Sequence, residues 1–136
     1  MKTSKTLGLA LAACVIALAA LAAEKAKTAT EYYQQYTAAF EKAKSVDELV
    51  AYMPKEAQEQ IKKASAEEKK QGFAMMKAMG AKQVKVVKET ATDKGATLDV
   101  EGVGGLDGGK MTGTVALTKD AAGWHIEKES WNAGAK

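Results

Sequence analysis

The chain has 136 residues, with 20 lysines against 17 acidic residues, no arginine, one histidine and one cysteine. A formal charge of +3 is small, and the planar arginine fork that suits phosphates and base edges is missing, which sets nucleic-acid recognition aside. A single cysteine allows no disulfide within the chain, so the fold must rest on its core.

Lys2 and Lys5 precede an apolar run from Leu7 to Ala23, and Ala20-Leu21-Ala22 has the small-x-small form of a cleavage site. A charged start, an apolar middle and a small-residue end read as a secretory signal over residues 1–22. Its removal leaves 136 minus 22, or 114 residues, and takes Lys2, Lys5 and Cys14 with it. Eighteen lysines then face 17 acids, a net +1. Two other fates fit the same segment. Leu11-Ala12-Ala13-Cys14 has the form of a bacterial lipobox, in which the cysteine is lipidated. The apolar run is also near the lower limit of about 17 residues for an uncleaved membrane anchor. The expected location is periplasmic or secreted, with a lipoprotein anchored at Cys14 as the alternative. Membrane contact is expected only if Cys14 is lipidated or the signal is kept.

Residues 23–29 read as a flexible lead. Thr28-x-x-Glu31 is a capping box, and Tyr32, Tyr33, Tyr36, Phe40 and Ala43 then fall at helical spacing on one stripe. Ser45-x-x-Glu48 opens a second, short helix with Leu49, Tyr52 and Met53. Pro54 suits the first turn of a third helix, which carries Ala57, Ile61 and Ala64. Ser65-x-x-Glu68 opens a fourth, with Phe73, Met76 and Met79 expected in the core and a glycine stop at Gly80.

From Gln83 the period changes to two, and four strands follow. Asp93-Lys94-Gly95 and Asp120-Ala121-Ala122-Gly123 are hairpin turns, and Gly102 to Gly109 makes a looser connection with room for a bulge. Strict alternation puts Val84, Val86, Lys88, Thr90, Leu98, Val100, Met111, Val115, Leu117, Trp124, Ile126, Lys128 and Ser130 inward. It puts Lys85, Val87, Glu89, Asp99, Glu101, Ala116, His125, Glu127, Glu129 and Trp131 outward. Helices first and a one-sided antiparallel meander after them make an α+β domain over residues 30–131, with a frayed tail over 132–136.

A helical half followed by strands ending in Gly123-Trp124-His125-Ile126 resembles the NTF2-like (cystatin-like) superfamily, and within it small exported bacterial proteins described as lumazine-binding-like. The segments that carry the resemblance are Lys82 to Thr92, Ala96 to Val103, Gly113 to Leu117 and Gly123 to Trp131. The resemblance implies N-terminal helices packed on the concave face of a curved four-stranded meander, a cone that often holds an apolar pocket. Fold alone does not set function there.

The inward set contains no Asp, Glu or His from the strands, which disfavours an acid–base enzyme. His125 with Glu127 and Glu129 on one strand face falls short of an ordinary metal ligand set, so no metal and no cofactor are expected. The reading that results is an exported, non-catalytic domain that binds a small apolar ligand or a protein partner. Its pocket would be built from Tyr33, Tyr36, Phe40, Val86, Leu98, Val115 and Trp124. A homodimer or protein partner would dock on the outer sheet face at Val87, Ala116 and Trp131. The alternative is an isomerase or hydratase that pairs a tyrosine with Lys88 or Lys128. A register one residue away would bring Glu89, Asp99 or His125 inside and favour that alternative.

Overall fold

The computed structural model describes residues 26–134. The signal segment with Cys14, the start of the lead and residues 135–136 lie outside the described residues. Among the described residues, three α-helices and a 3-10 helix precede a four-stranded antiparallel sheet: α1 (Ala29–Lys42), the 3-10 helix (Val46–Tyr52), α2 (Lys55–Lys63) and α3 (Ala66–Met79), then β1 (Lys82–Ala91), β2 (Gly95–Val103), β3 (Lys110–Asp120) and β4 (Gly123–Ala133). The strands lie in the order β1-β2-β3-β4, a simple meander. No described helix is long and apolar enough to cross a membrane.

The helix starts follow the sequence signals. The Thr28 hydroxyl accepts from Glu31 N at 3.1 Å, and the Glu31 carboxylate reaches back to Lys27 N at 2.8 Å. Ser65 and Glu68 form the reciprocal box, at 3.2 and 2.7 Å. Each bond satisfies a backbone donor that the first helical turn leaves unpaired. Pro54 stands one position earlier than expected, as the cap before α2 rather than inside it. Gly80 ends α3 with φ −61, so no left-handed turn is needed there. A Cβ at Gly80 would come within 3.0 Å of the Phe40 ring, and the glycine is what lets α3 close onto α1.

The core joins one face of the sheet to α1. Ala29, Tyr32 and Tyr33 pack on Ala96, Leu98, Val100, Val115, Leu117 and Ile126. The 3-10 helix adds Val46 and Leu49 as buried residues. α2 and α3 contribute no buried residue, so they flank the core instead of covering the sheet. Met76 is half-buried, and Met79, expected in the core, is exposed. Lys77 ties α3 to α1: its ammonium donates to Phe40 O at 2.7 Å and Glu41 O at 3.1 Å. These are orphan carbonyls at the end of α1, where a cation also complements the helix dipole.

Two bulges change the strand faces. In β1, Val86 pairs Val100 and Lys88 pairs Asp99, so Val87 is an extra residue. In β4, Ile126 pairs Leu117 and Lys128 pairs Ala116, so Glu127 is extra. One extra residue reverses every side chain beyond it. Lys88, Thr90, Lys128 and Ser130, expected inward, therefore face outward. Glu89, Glu129 and Trp131, expected outward, turn toward α1: Glu89 opposes Leu98, Glu129 opposes Val115 and Trp131 opposes Gly113. A further register shift lies between Lys82 and Lys85, where Gln83 holds φ 53, and Val84 and Val86 beyond it stay inward as expected. β4 also runs through Ala133, into the stretch expected to fray.

Candidate functional site

The side of the sheet that the β4 bulge turned inward meets α1 in an open cavity of about 250 Å³. Tyr33, Tyr36, Thr37, Phe40 and Glu41 form the α1 wall, Glu129 and Trp131 the β4 wall, and Met76, Met79, Gly80, Ala81 and Val84 close the third side. Spacing of three and four along α1 stacks its rings into one surface: centroids lie 5.8 Å apart for Tyr33 and Tyr36, and 6.1 Å for Tyr36 and Phe40.

Trp131 has a prepared seat. Its pairing partner is Gly113, where a Cβ would lie 2.9 Å from Trp131 Cε3 and 3.0 Å from Cδ2. At Gly102 on β2 a Cβ would lie 3.5 Å from Trp131 Cη2. The missing Cβ of Gly113 is what lets the indole lie down; at Gly102 the tighter neighbours are Lys82 O at 3.1 Å and Ala81 Cβ at 3.2 Å. The result is an aromatic floor against an aromatic wall.

Glu129 sits between them. Solvent reaches it through the open mouth, yet protein atoms crowd it, and this desolvation pushes its carboxyl above the usual carboxylate range. The Tyr33 hydroxyl and the Trp131 indole face the carboxylate and act in the opposite direction, favouring its charged form. Tyr33 and Tyr36 are raised well above the usual phenol range, first by burial and then by the Glu129 charge. Both therefore stay neutral hydrogen-bond donors. Tyr32, at the other end of the helix stripe, is pushed up to about 12 by burial and by Tyr52.

Glu89 has a structural task. Its carboxylate accepts from Thr30 N at 2.9 Å and from the Thr30 hydroxyl at 2.5 Å, which fastens the start of α1 to β1. A carboxylate there also complements the positive end of the helix.

The expected pocket residues separate. Tyr33, Tyr36 and Phe40 line the cavity just described. Leu98 and Val115 are fully buried under α1, and Val86 packs partly buried beside them, so side chains fill the middle of the interface. Trp124 belongs to a second, wider depression of about 760 Å³ that begins at Ala26, the first described residue, and includes Tyr32, Tyr52, Lys119 and His125. There Trp124 Nε1 and His125 Nδ1 are buried without a hydrogen-bond partner among the described residues. His125 Nε2 faces Asp120 Oδ1 at 3.3 Å, not Glu127 or Glu129. No three metal-ligating side chains cluster among the described residues. Of the expected outer-face patch, Val87 is exposed on its bulge and Ala116 stays on the outer face, but Trp131 lies on the opposite side. The residues that sequence reasoning missed, Glu129 and Trp131, share one cause, the extra Glu127. A wide bulge there has no glycine to signal it.

No family model matches the chain, and no curated protein matches it. A similar solved structure is the solution structure of a SEC-C motif containing protein from Rhodopseudomonas palustris, with 14% identity, 96% of this chain and 98% of that chain covered, and a TM-score of 0.46. The NTF2-like resemblance is corrected accordingly: no family model, of that superfamily or any other, matches the chain. The features behind the resemblance are local. Gly123 has φ +110 in a hairpin turn, and Trp124 and Ile126 alternate after it. A tight hairpin turn followed by alternation is common to many meanders and identifies no family.

Proposed function

We propose that this is a non-catalytic binding domain of the bacterial cell envelope that takes a small, largely apolar molecule into the cavity between α1 and the end of β4. The observation that carries the reading is the seat of Trp131. Gly113 leaves space for the indole to lie flat, opposite the tilted rings of α1. A preformed concave aromatic surface with a few polar groups is the ordinary design of a small-ligand site. The bulges of β1 and β4 add local twist, which supports a sheet curved around α1. Native mass spectrometry of the protein from its host's envelope tests the reading. A retained small-molecule mass that Trp131→Ala loses is the expected result. A bare wild-type chain, with no small molecule retained, would count against it.

One observation favours a second, catalytic reading. Glu129, with its raised carboxyl, stands beside the neutral Tyr33 hydroxyl, a base and a donor in one cavity. Lys88 and Lys128, the earlier candidates to partner a tyrosine, face away from it. Proton abstraction by Glu129 would make a substrate C–H exchange with solvent deuterium in the wild type and not in Glu129→Gln. Partner binding through the outer sheet face rests on exposed Val87 and partly exposed Ala116 once Trp131 is inside.

A further inference from the structure

We infer that the molecule held between α1 and β4 carries a positive charge, an organic ammonium group on an apolar body. This rests on the small-ligand reading and adds the chemical class of the ligand. The first ground is the composition of the walls. None of the described lysines lines this cavity, whereas two carboxylates do, Glu41 and Glu129. An anionic ligand would meet two like charges in the walls, which costs free energy, while the nearby Lys77 ammonium is engaged by Phe40 O and Glu41 O.

The second ground is the aromatic surface. Tyr33, Tyr36, Phe40 and Trp131 line the cavity, and the negative face of an aromatic ring attracts a cation within about 6 Å of its centroid. Phe40 already holds a cation in this way, with Lys77 Nζ 5.0 Å from its centroid, so the rings left for a ligand's cation are those of Tyr33, Tyr36 and Trp131. Glu129 lies between the α1 and β4 rings and supplies the full charge, while Met76 and Met79 receive the apolar body. The third ground is size. A volume of about 250 Å³ equals roughly eight waters in the liquid, enough for an amine headgroup with a short apolar body.

Three probes of one shape and different charge test the inference: choline, the neutral 3,3-dimethylbutan-1-ol and the anionic 3,3-dimethylbutanoate. The readout is the NMR shift of the Trp131 indole N–H during titration of the full mature chain. Choline should bind about tenfold more tightly than the alcohol, and the anion should not bind. Glu129→Gln, which keeps the side-chain shape, should erase most of choline's advantage and leave the alcohol unchanged. Binding of the alcohol as tight as that of choline, or a Glu129→Gln variant that keeps the full preference, would overturn the charge assignment and leave the cavity reading standing. Silence of the Trp131 signal to all three probes would sink both.

Discussion

Gly113→Ala measures whether Trp131 sits where the β4 bulge puts it. In a strand with ordinary φ, replacing glycine by alanine is usually favourable, by about 0.5–1 kcal/mol, because the unfolded chain loses freedom. At Gly113 the new Cβ would lie 2.5 Å from Ser130 O and 2.9 Å from the Trp131 ring. The carbonyl belongs to the paired backbone of β4 and cannot swing aside. Overpacking of this kind costs about 1–3 kcal/mol, and contact with fixed backbone puts it in the upper half of that range. Subtracting the favourable part leaves a net loss of about 1–2 kcal/mol. For a domain of this size each kcal/mol lowers Tm by about 4–8 °C. Thermal unfolding followed by far-UV circular dichroism reads the loss, and Trp131 emission reads the displaced ring. An unchanged or raised Tm would refute the packing of Trp131 on Gly113.

Four further outcomes are expected. Glu89→Ala removes the acceptor for Thr30 N and its hydroxyl; stability should fall by about 1 kcal/mol in urea titration, as for loss of a helix cap. Gln83 holds φ 53 at the start of β1, a region costly for any residue but glycine, so Gln83→Gly should gain about 1 kcal/mol by the same assay. Lys77→Met strips the cation from the end of α1 and should destabilise by about 0.5–1 kcal/mol, with a smaller effect in high salt. Glu129 has a folded-state carboxyl raised above its unfolded value, so the native state holds the extra proton. Stability from this group is greatest in acid and falls as pH rises from the ordinary carboxylate range through the raised value. Glu129→Gln should flatten that fall in a urea-midpoint series against pH; an unchanged slope would mean the carboxyl is not desolvated.

Much of the architecture was legible in the residues. The capping signals at Thr28, Ser45 and Ser65 mark real helix starts because they serve backbone donors within a few residues. The period of two marks the strands because one face meets α1. Local signals also misled where a distant contact decides. Gly80 reads as a helix stop, but it is small because Phe40 lies against it. Met79 shares a helix face with Phe73, yet α3 flanks the core and leaves that side open. The site was half legible: Tyr33, Tyr36 and Phe40 declare themselves by spacing, while Glu129 and Trp131 depend on one unpaired residue, Glu127. Bulges without glycine obey the ladder, not the sequence, so no window of β4 read alone reveals that its end turns over.

That reversal is the central claim, and nuclear Overhauser contacts of the Trp131 indole test it most directly. Cross-peaks to Gly113 Hα and to the rings of Tyr33 and Tyr36 are the predicted result. Cross-peaks to Thr112 and Thr114 on the outer face, with none to α1, would mean that β4 runs without its bulge and that the cavity has lost its floor.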